Sequence, residues 1–361
     1  MRFDPIVYME WAKAGTRAAV NLARSGVPGL EFSDLGLDLG LGDLKLNGEH
    51  PYGWKPLLEA IASRYGTDPD CVVPSVGTSQ AVFLACAALL AEGDAVYVEK
   101  PAYEPLRSVP HAVGGRVFRF DRLFERDFSV DPAEFDERFP PGARLVVLSN
   151  LHNPSGTRLS PKSVKQLAGI AAGHGAYVLI DEVYLEFEAG GGPHTSFGLA
   201  DNIVVISSLT KVFGLSGLRC GWILAPRAVI PALRHVVDNL HVEHVLPAEQ
   251  LSARIFPLLD ALKARNRNWI EANKSIVREF MRQTPGLRWV EPDGGIVAFP
   301  RVVVREGEPA GGDLLARVLL ETKDTAVVPG GFFEDDRHFR LGFGLPEDLL
   351  RHGLDQIRAA L

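Results

Sequence analysis

Between residues 72 and 225 short β-branched runs alternate with helical stretches, and no other feature of the chain constrains its fold as strongly. The runs "DAVYVE", "ARLVVLSN", "AYVLID", "NIVVISS" and "CGWILA" read as strands, while "SQAVFLACAALLA" and "PKSVKQLAGIAAGHG" carry helical patterning. Such alternation predicts an α/β fold, a mainly parallel sheet with helices on both faces. Ser160 and Pro161 form an N-cap and first-turn pair, and Gly173 and Gly175 close that helix.

The flanking sequence extends this frame. In "LNGEHPYGWKPLLEAIASRYG" the spacing of Leu57, Leu58, Ile61 and Ala62 predicts a helix entering the core. From Pro226 to about Gln283 strands stop, and "PALRHVVDNLHVEHV" and "WIEANKSIVREFMRQ" read as long helices. The remainder reads as a smaller α+β unit, with "GLRWV", "GGIVAFP", "TAVVPG" and "HFRLGFG" as strands and "GDLLARVLLET" and "PEDLLRHGLDQIRAAL" as helices. A chain of 361 residues accommodates one large domain and a smaller companion. "EAGGGPH" and "EGEPAGG" read as turn-rich loops.

Composition removes several classes of function. With 46% hydrophobic and 23% charged residues the chain is of ordinary globular type, and a net charge of -7 with scattered Lys and Arg leaves no footprint for nucleic acid. Cys71, Cys86 and Cys220 suit neither a disulfide framework nor a metal site, so the chain reads as cytoplasmic. The N-terminus has no apolar run of signal-peptide type, and no segment has the apolar length of a membrane span. His241 and His244, three apart on the expected helix, lack the surrounding ligands of a metalloenzyme site, and no metal is expected.

The chemistry lies where the strands end, because ligands of open α/β sheets bind beyond the carboxyl ends of their strands. Gly77, Thr78 and Ser79 stand between a strand and a helix N-terminus, where N–H groups, hydroxyls and the helix dipole converge on an anion. Neither GxxxxGK[ST] nor GxGxxG is present, which disfavours a nucleoside triphosphate loop and a nicotinamide site. "ARLVVLSN" leads to Asn153 in "LHNPSGT"; "AYVLID" ends in Asp181, with Tyr184 three residues on; "NIVVISS" runs into "SLTK". Gly77, Thr78, Ser79, Ser208, Thr210 and Arg219 suit a phosphate. Lys211 offers an amine to an aldehyde, and Asp181 a carboxylate that keeps a ring nitrogen protonated. Asn153 and Tyr184 offer donors to a phenolic oxygen, and Tyr103 in "EKPAYEP" a face for stacking. One cofactor needs all of these, pyridoxal phosphate.

In this order and spacing the chain resembles the fold-type I pyridoxal-phosphate enzymes, specifically the class I/II aminotransferases related to aspartate and histidinol-phosphate aminotransferases. The resemblance runs from about residue 51 to the end, through Tyr52 with "LLEAIA", "GTSQA", "KPAYEP", "NPSGT", "DEVY", "SSLTKVFGLSGLRCGW", "VVPGGFF" and "FRLGFG". It implies a large domain with a mostly parallel seven-stranded sheet between helices, plus a smaller α+β domain. The expected division is an N-terminal segment, 1–50, joining the small domain and covering the substrate; a cofactor-binding domain, 51–240; and a connecting helix with the C-terminal domain, 241–361.

By the same resemblance Lys211 is the Schiff-base lysine and general base, Asp181 the partner of the pyridinium, and Asn153 and Tyr184 the contacts to the ring oxygen. Tyr103 is the stacking aromatic; Thr78, Ser79, Ser208, Thr210 and Arg219 form the phosphate cup; Arg340 binds the substrate α-carboxylate. Tyr52 resembles the tyrosine that reaches the phosphate of a neighbouring subunit, which implies a homodimer with shared active sites. The implied activity is exchange of an amino group between an amino acid and a 2-oxo acid. Before Tyr52 the segment "NLARSGVPGLEFSDLGLDLGLGDLKLNGEHPYG" departs from the family pattern, reading as shorter and as lacking an early Gly-x-Pro turn and helix. That departure leaves elimination, decarboxylation and amino-acid cyclisation as alternatives. A non-catalytic regulatory module would need a DNA-binding extension, for which the first 50 residues are too few and too acidic.

Overall fold

A computed structural model describes residues 3–14, 17–188, 194–303 and 311–361. Strand β1 (Val20–Asn21) lies in the N-terminal segment, and the central sheet is built from β2 (Val72–Val76), β3 (Ala95–Lys100), β4 (Arg116–Asp121), β5 (Ala143–Ser149), β6 (Tyr177–Asp181), β7 (Ile203–Ser208) and β8 (Cys220–Leu224). Their order is β2-β8-β7-β6-β5-β3-β4, and only β8 runs against the others. This is the mostly parallel seven-stranded sheet expected from the sequence.

Strand periodicity divides the apolar residues between two faces. Val146, Leu148, Val178, Ile180, Ile203 and Val205 enter one core, and Leu145, Val147, Leu179, Val204 and Ile206 enter the core on the other face. Both faces are covered, which is why these strands show continuous apolar runs. Parallel pairing places Ser149 beside Asp181, and the β7–β8 pairing places Ser208 beside Gly221, so their polar termini share one edge. Ser160 caps its helix as expected, its Oγ accepting from the Ser163 N–H at 3.1 Å.

A separate core joins the 24-residue helix Leu259–Arg282 to Gly311–Lys323, Glu347–Ala360 and the strand Phe339–Gly342. Val20, Leu22 and Val27 of the N-terminal segment enter this same core, and β1 pairs in parallel with Thr325–Ala326. Among the described residues no helix is long and apolar enough to cross a membrane.

Two expectations change. The helix through "PALRHVVDNLHVEHV" stops at Leu240, because the Val237 carbonyl accepts from both the His241 and Val242 N–H groups and Val242 turns to φ 61°. His241 and His244 therefore lie beyond the helix end; asparagine, histidine and valine, which extend helices poorly, cluster there. "GLRWV" contributes only Leu287–Arg288 as strand, and most of "EAGGGPH" and "EGEPAGG" falls outside the described residues.

Candidate active site

A cavity of about 510 Å³ opens above the strand tips. Helix α1 (Val7–Ala14) and residues 21–29 close it from above, and the tips of β6 and β7 with the start of the helix Thr78–Leu89 form its floor. Thr78, Ser79, Tyr103, Asn153, Asp181, Tyr184, Thr210, Lys211 and Arg219, all singled out by sequence, line it.

At one end hydroxyls and a guanidinium gather at the start of the helix Thr78–Leu89. Gly77 adopts φ 76°, and a Cβ there would run into the Arg219 guanidinium, so glycine lets the guanidinium close over the helix N-terminus. Thr78 Oγ1 donates to Ser208 Oγ at 2.9 Å, and the Thr210 N–H reaches the same oxygen at 3.4 Å. Arg219 holds left-handed φ 52°, a costly conformation for a residue with a Cβ, and its guanidinium makes only long contacts, to the Ser216 carbonyl at 3.4 Å and the Val76 carbonyl at 3.3 Å. No carboxylate pairs with it among the described residues.

In the middle stand two opposite charges. Asp181 closes β6 and is buried; its Oδ1 accepts from the Val183 N–H at 3.0 Å, and burial pushes its pKa up to about 7 against the pull of that bond and of Lys211. Lys211 follows β7, and burial, reinforced by the positive charge of Arg340, lowers its pKa to about 8. Its Nζ donates to Ser25 Oγ at 3.1 Å. Burial likewise raises the pKa of the Tyr184 and Tyr103 phenols, so both are neutral hydroxyls at neutral pH.

Arg340, fully buried, does not itself line the cavity but lies behind its lining residues Asn153, Tyr8 and Ala23. It donates from Nη1 to Asn153 Oδ1 at 3.0 Å and from Nη2 to the Tyr8 hydroxyl at 2.9 Å and the Ala23 carbonyl at 3.0 Å, while its buried Nε has no partner among the described residues. Asn153 is itself fixed through its N–H, which donates to Ser149 Oγ at 3.1 Å. Tyr103 stands edge-on to Tyr8, centroids 5.6 Å apart, and its hydroxyl meets Met9 Sδ at 3.3 Å.

Tyr52 is not brought into this cavity. Its hydroxyl approaches Asp238 Oδ2 at 3.4 Å and its ring lies under the Arg234 guanidinium at 4.6 Å. Sequence reasoning also missed Tyr8, Ser25, Met9 and Trp11, which line the cavity from the N-terminal segment. The expected absence of a Gly-x-Pro turn is corrected as well. Gly26-Val27-Pro28 is such a turn, and the Val27 N–H donates to the Lys211 carbonyl at 3.1 Å. Its signal, a glycine and a proline two apart, was lost among the many glycines of that stretch.

The class I and II aminotransferase family model matches residues 46–357, and the chain belongs to that family. It is accordingly a pyridoxal-phosphate-dependent enzyme. It is 30% identical over 356 residues to the capreomycidine synthase of Streptomyces vinaceus, covering 96% of this chain and 90% of that one. To the arginine–pyruvate transaminase AruH of Pseudomonas aeruginosa it is 29% identical over 322 residues, 84% of this chain and 80% of that one. The solved structure of the pyridoxal-phosphate-dependent cyclase OrfR superposes with a TM-score of 0.89 at 29% identity, covering 99% of this chain and 96% of that one.

The residues present fit the cofactor. A buried carboxylate with a single N–H donor suits a cationic ring nitrogen, an amine with lowered pKa suits an aldehyde, and a guanidinium without a carboxylate beside a helix N-terminus suits a phosphate.

Proposed function

We propose that the protein is an aminotransferase that passes the amino group of an amino acid to a 2-oxo acid, with Lys211 as covalent anchor and proton carrier. The observation that carries this reading is the meeting of Lys211 and Asp181 at one cavity, an amine and a carboxylate on neighbouring strand tips, with the buried Arg340 guanidinium directly behind the lining residues Asn153 and Tyr8. When bound, the cofactor supplies an aldehyde that takes up amines and a protonated ring that withdraws electrons from the substrate Cα.

The chain's own groups supply the rest. Gly77, Thr78, Ser79, Ser208, Thr210 and Arg219 hold the phosphate, with the helix dipole behind them. Asp181 would keep a ring nitrogen protonated, Asn153 and Tyr184 would offer donors to a ring oxygen, and Tyr103 would offer a face for stacking. Arg340 takes the substrate α-carboxylate in place of the Tyr8 hydroxyl and fixes which Cα bond faces Lys211. Lys211 Nζ, its pKa lowered to about 8, would serve as the base that accepts and carries the substrate Cα proton. Tyr8, Met9 and Trp11 close over the reacting atoms and exclude water.

The reading includes a homodimer with shared sites. It is supported by Tyr52, which sits outside its own cavity, and by the exposed apolar residues Leu240, Val242 and Val245. The division into 1–50, 51–240 and 241–361 is supported in outline by separate cores, although Ile255, Phe256, Leu259 and Leu262 still pack in the core of the large domain, and a cytoplasmic setting is supported by three free, buried cysteines.

Cyclisation is the second reading. It is favoured by the likeness to capreomycidine synthase and OrfR, which spans nearly the whole chain. Against it as the first choice stands the cavity's charge. Asp181 is the only acidic residue among its described lining residues, and Arg24 stands at the mouth, so neutral and acidic side chains are accommodated more readily than cationic ones. Single-turnover incubation of the loaded enzyme with each amino acid separates the two readings. Transamination yields one equivalent of 2-oxo acid per site with no ammonia; an isomeric or dehydrated cyclic amino acid formed without 2-oxo acid would replace the first reading with the second.

A further inference from the structure

The N-terminal segment does more than roof the cavity. Ser25 is buried, 9% exposed, and its hydroxyl stands between two groups of the floor. Lys211 Nζ donates to it at 3.1 Å, and it lies near enough to the Tyr184 phenol to favour that group's ionised form. The backbone on either side is clamped to the lysine loop, the Val27 N–H donating to the Lys211 carbonyl and the Leu30 N–H to the Gly214 carbonyl, both at 3.1 Å. Close approach is built into the neighbours. A Cβ on Gly26 would stand 3.4 Å from Lys211 Cδ, and one on Gly214, at φ 71°, would meet the Pro28 carbonyl oxygen at 2.5 Å. The hydroxyl thus has a fixed place relative to the amine, with little freedom to lose on bonding it.

We propose that Ser25 is a positioning residue for Lys211, docking its amine whenever it is free. The inference rests on the reading of Lys211 as anchor. While Lys211 is covalently engaged, Ser25 is released from it; once substrate has freed the amine, the hydroxyl receives it and holds its lone pair within reach of the Cα proton. Without that dock, a four-carbon side chain must find the reacting geometry by rotamer search. The other charges facing Nζ are Asp181 from β6, Arg340 from the strand Phe339–Gly342 and Arg219 from the loop before β8. Two of these three are positive and disfavour the ammonium, whereas an accepting hydroxyl stabilises it, because hydrogen bonds from a charged donor are the stronger ones.

The test uses the full chain with Ser25→Ala and Ser25→Thr. In the cofactor-free protein, the pH dependence of Lys211 labelling by trinitrobenzenesulfonate, read by peptide mass spectrometry, should move to lower pH in Ser25→Ala by about half to one unit. At pH 7, starting from a midpoint near 8, that is roughly a three- to fivefold faster labelling. Ser25→Thr should lie near the parent. In the loaded enzyme, single-turnover rates should fall roughly 10- to 100-fold in Ser25→Ala at little-changed half-saturation, with recovery in Ser25→Thr. An unchanged labelling midpoint in Ser25→Ala overturns the proposal, whatever its activity. Borohydride trapping of the parent keeps the two claims apart: a cofactor trapped on Lys211 with an unchanged midpoint refutes the dock alone, and a cofactor trapped elsewhere refutes the anchor and the dock together.

Discussion

The strand tips under the cavity and the segment that covers it are held by different means. Under the floor, the Arg122 side chain is completely buried and donates to the Phe128 carbonyl at 2.6 Å, to Glu99 Oε2 at 2.8 Å and to the Ser149 carbonyl at 3.2 Å. Glu99 Oε1 in turn accepts from the Ser149 N–H at 2.7 Å and its hydroxyl at 2.6 Å, and Ser149 Oγ accepts from the Asn153 N–H. His152, kept neutral by burial and by the Arg122 charge, bonds the Pro101 carbonyl at 3.0 Å and Ser155 Oγ at 2.6 Å. The floor is a satisfied polar network that needs nothing from the ligand.

The cover is the opposite case. Helix α1 has eight residues, too few to be stable alone, and is held by the Tyr8 N–H on Glu104 Oε2 at 2.7 Å, by the Tyr8–Tyr103 edge contact and by the Tyr8 hydroxyl on Arg340. Its anchors include the groups assigned to substrate and cofactor. A preorganised floor under a cover tied to the reacting groups lets ligand binding act on the cover alone, and three substitutions probe that division.

The largest effect falls on the floor's charge. Asp181→Asn should reduce turnover at least about 100-fold, since the ring loses the charge that holds it protonated. In the cofactor-free protein the same change should stabilise the fold, with a defined pH dependence. The Asp181 pKa is raised from 3.8 to about 7, so between these values the folded chain binds more protons than the unfolded one, and stability declines as pH rises. Parent and variant should therefore match near pH 4 and diverge toward pH 7, the variant gaining on the order of 2 kcal/mol by thermal unfolding. Equal melting temperatures at both pH values would contradict the burial argument.

Arg122→Leu attacks the network itself, leaving Glu99 buried without its ion-pair partner. Urea unfolding should register a loss of about 3–5 kcal/mol; a change below about 1 kcal/mol would mean that the network does not hold the floor. Tyr8→Phe is the mildest change. Losing one hydroxyl should cost less than about 1 kcal/mol of stability. Because Arg340 Nη2 then has one competitor fewer, the half-saturation constant for the amino acid should fall roughly two- to fivefold in steady-state kinetics. A large loss of stability would show the cover to be as integral as the floor.

The same division decides what could be read from the sequence. Strand tips announce themselves, since a β-branched run ending in Asp181, or in Ser207 and Ser208 before Lys211, delivers polar groups to one edge of a parallel sheet, and the structure brings them together there. The supporting network does not announce itself. Glu99 and Arg122 are 23 residues apart in sequence, and each read alone in the sequence would pass for an ordinary surface charge, although both are buried. The cover was the least legible part. Tyr8 meets Arg340 across 332 positions, the helix around it is short, and the Gly26–Pro28 turn was hidden in a glycine-rich stretch. His241 and His244 failed for a local reason, a backbone reversal at Val242 that helical periodicity does not encode.

The account stands on Lys211 as the covalent anchor. Borohydride reduction of the cofactor-loaded enzyme, followed by peptide mass spectrometry, tests this directly. One reduced cofactor per chain should be attached to Lys211, and none in Lys211→Ala; a reduced cofactor on any other lysine of the parent, or none at all, would contradict Lys211 as the anchor.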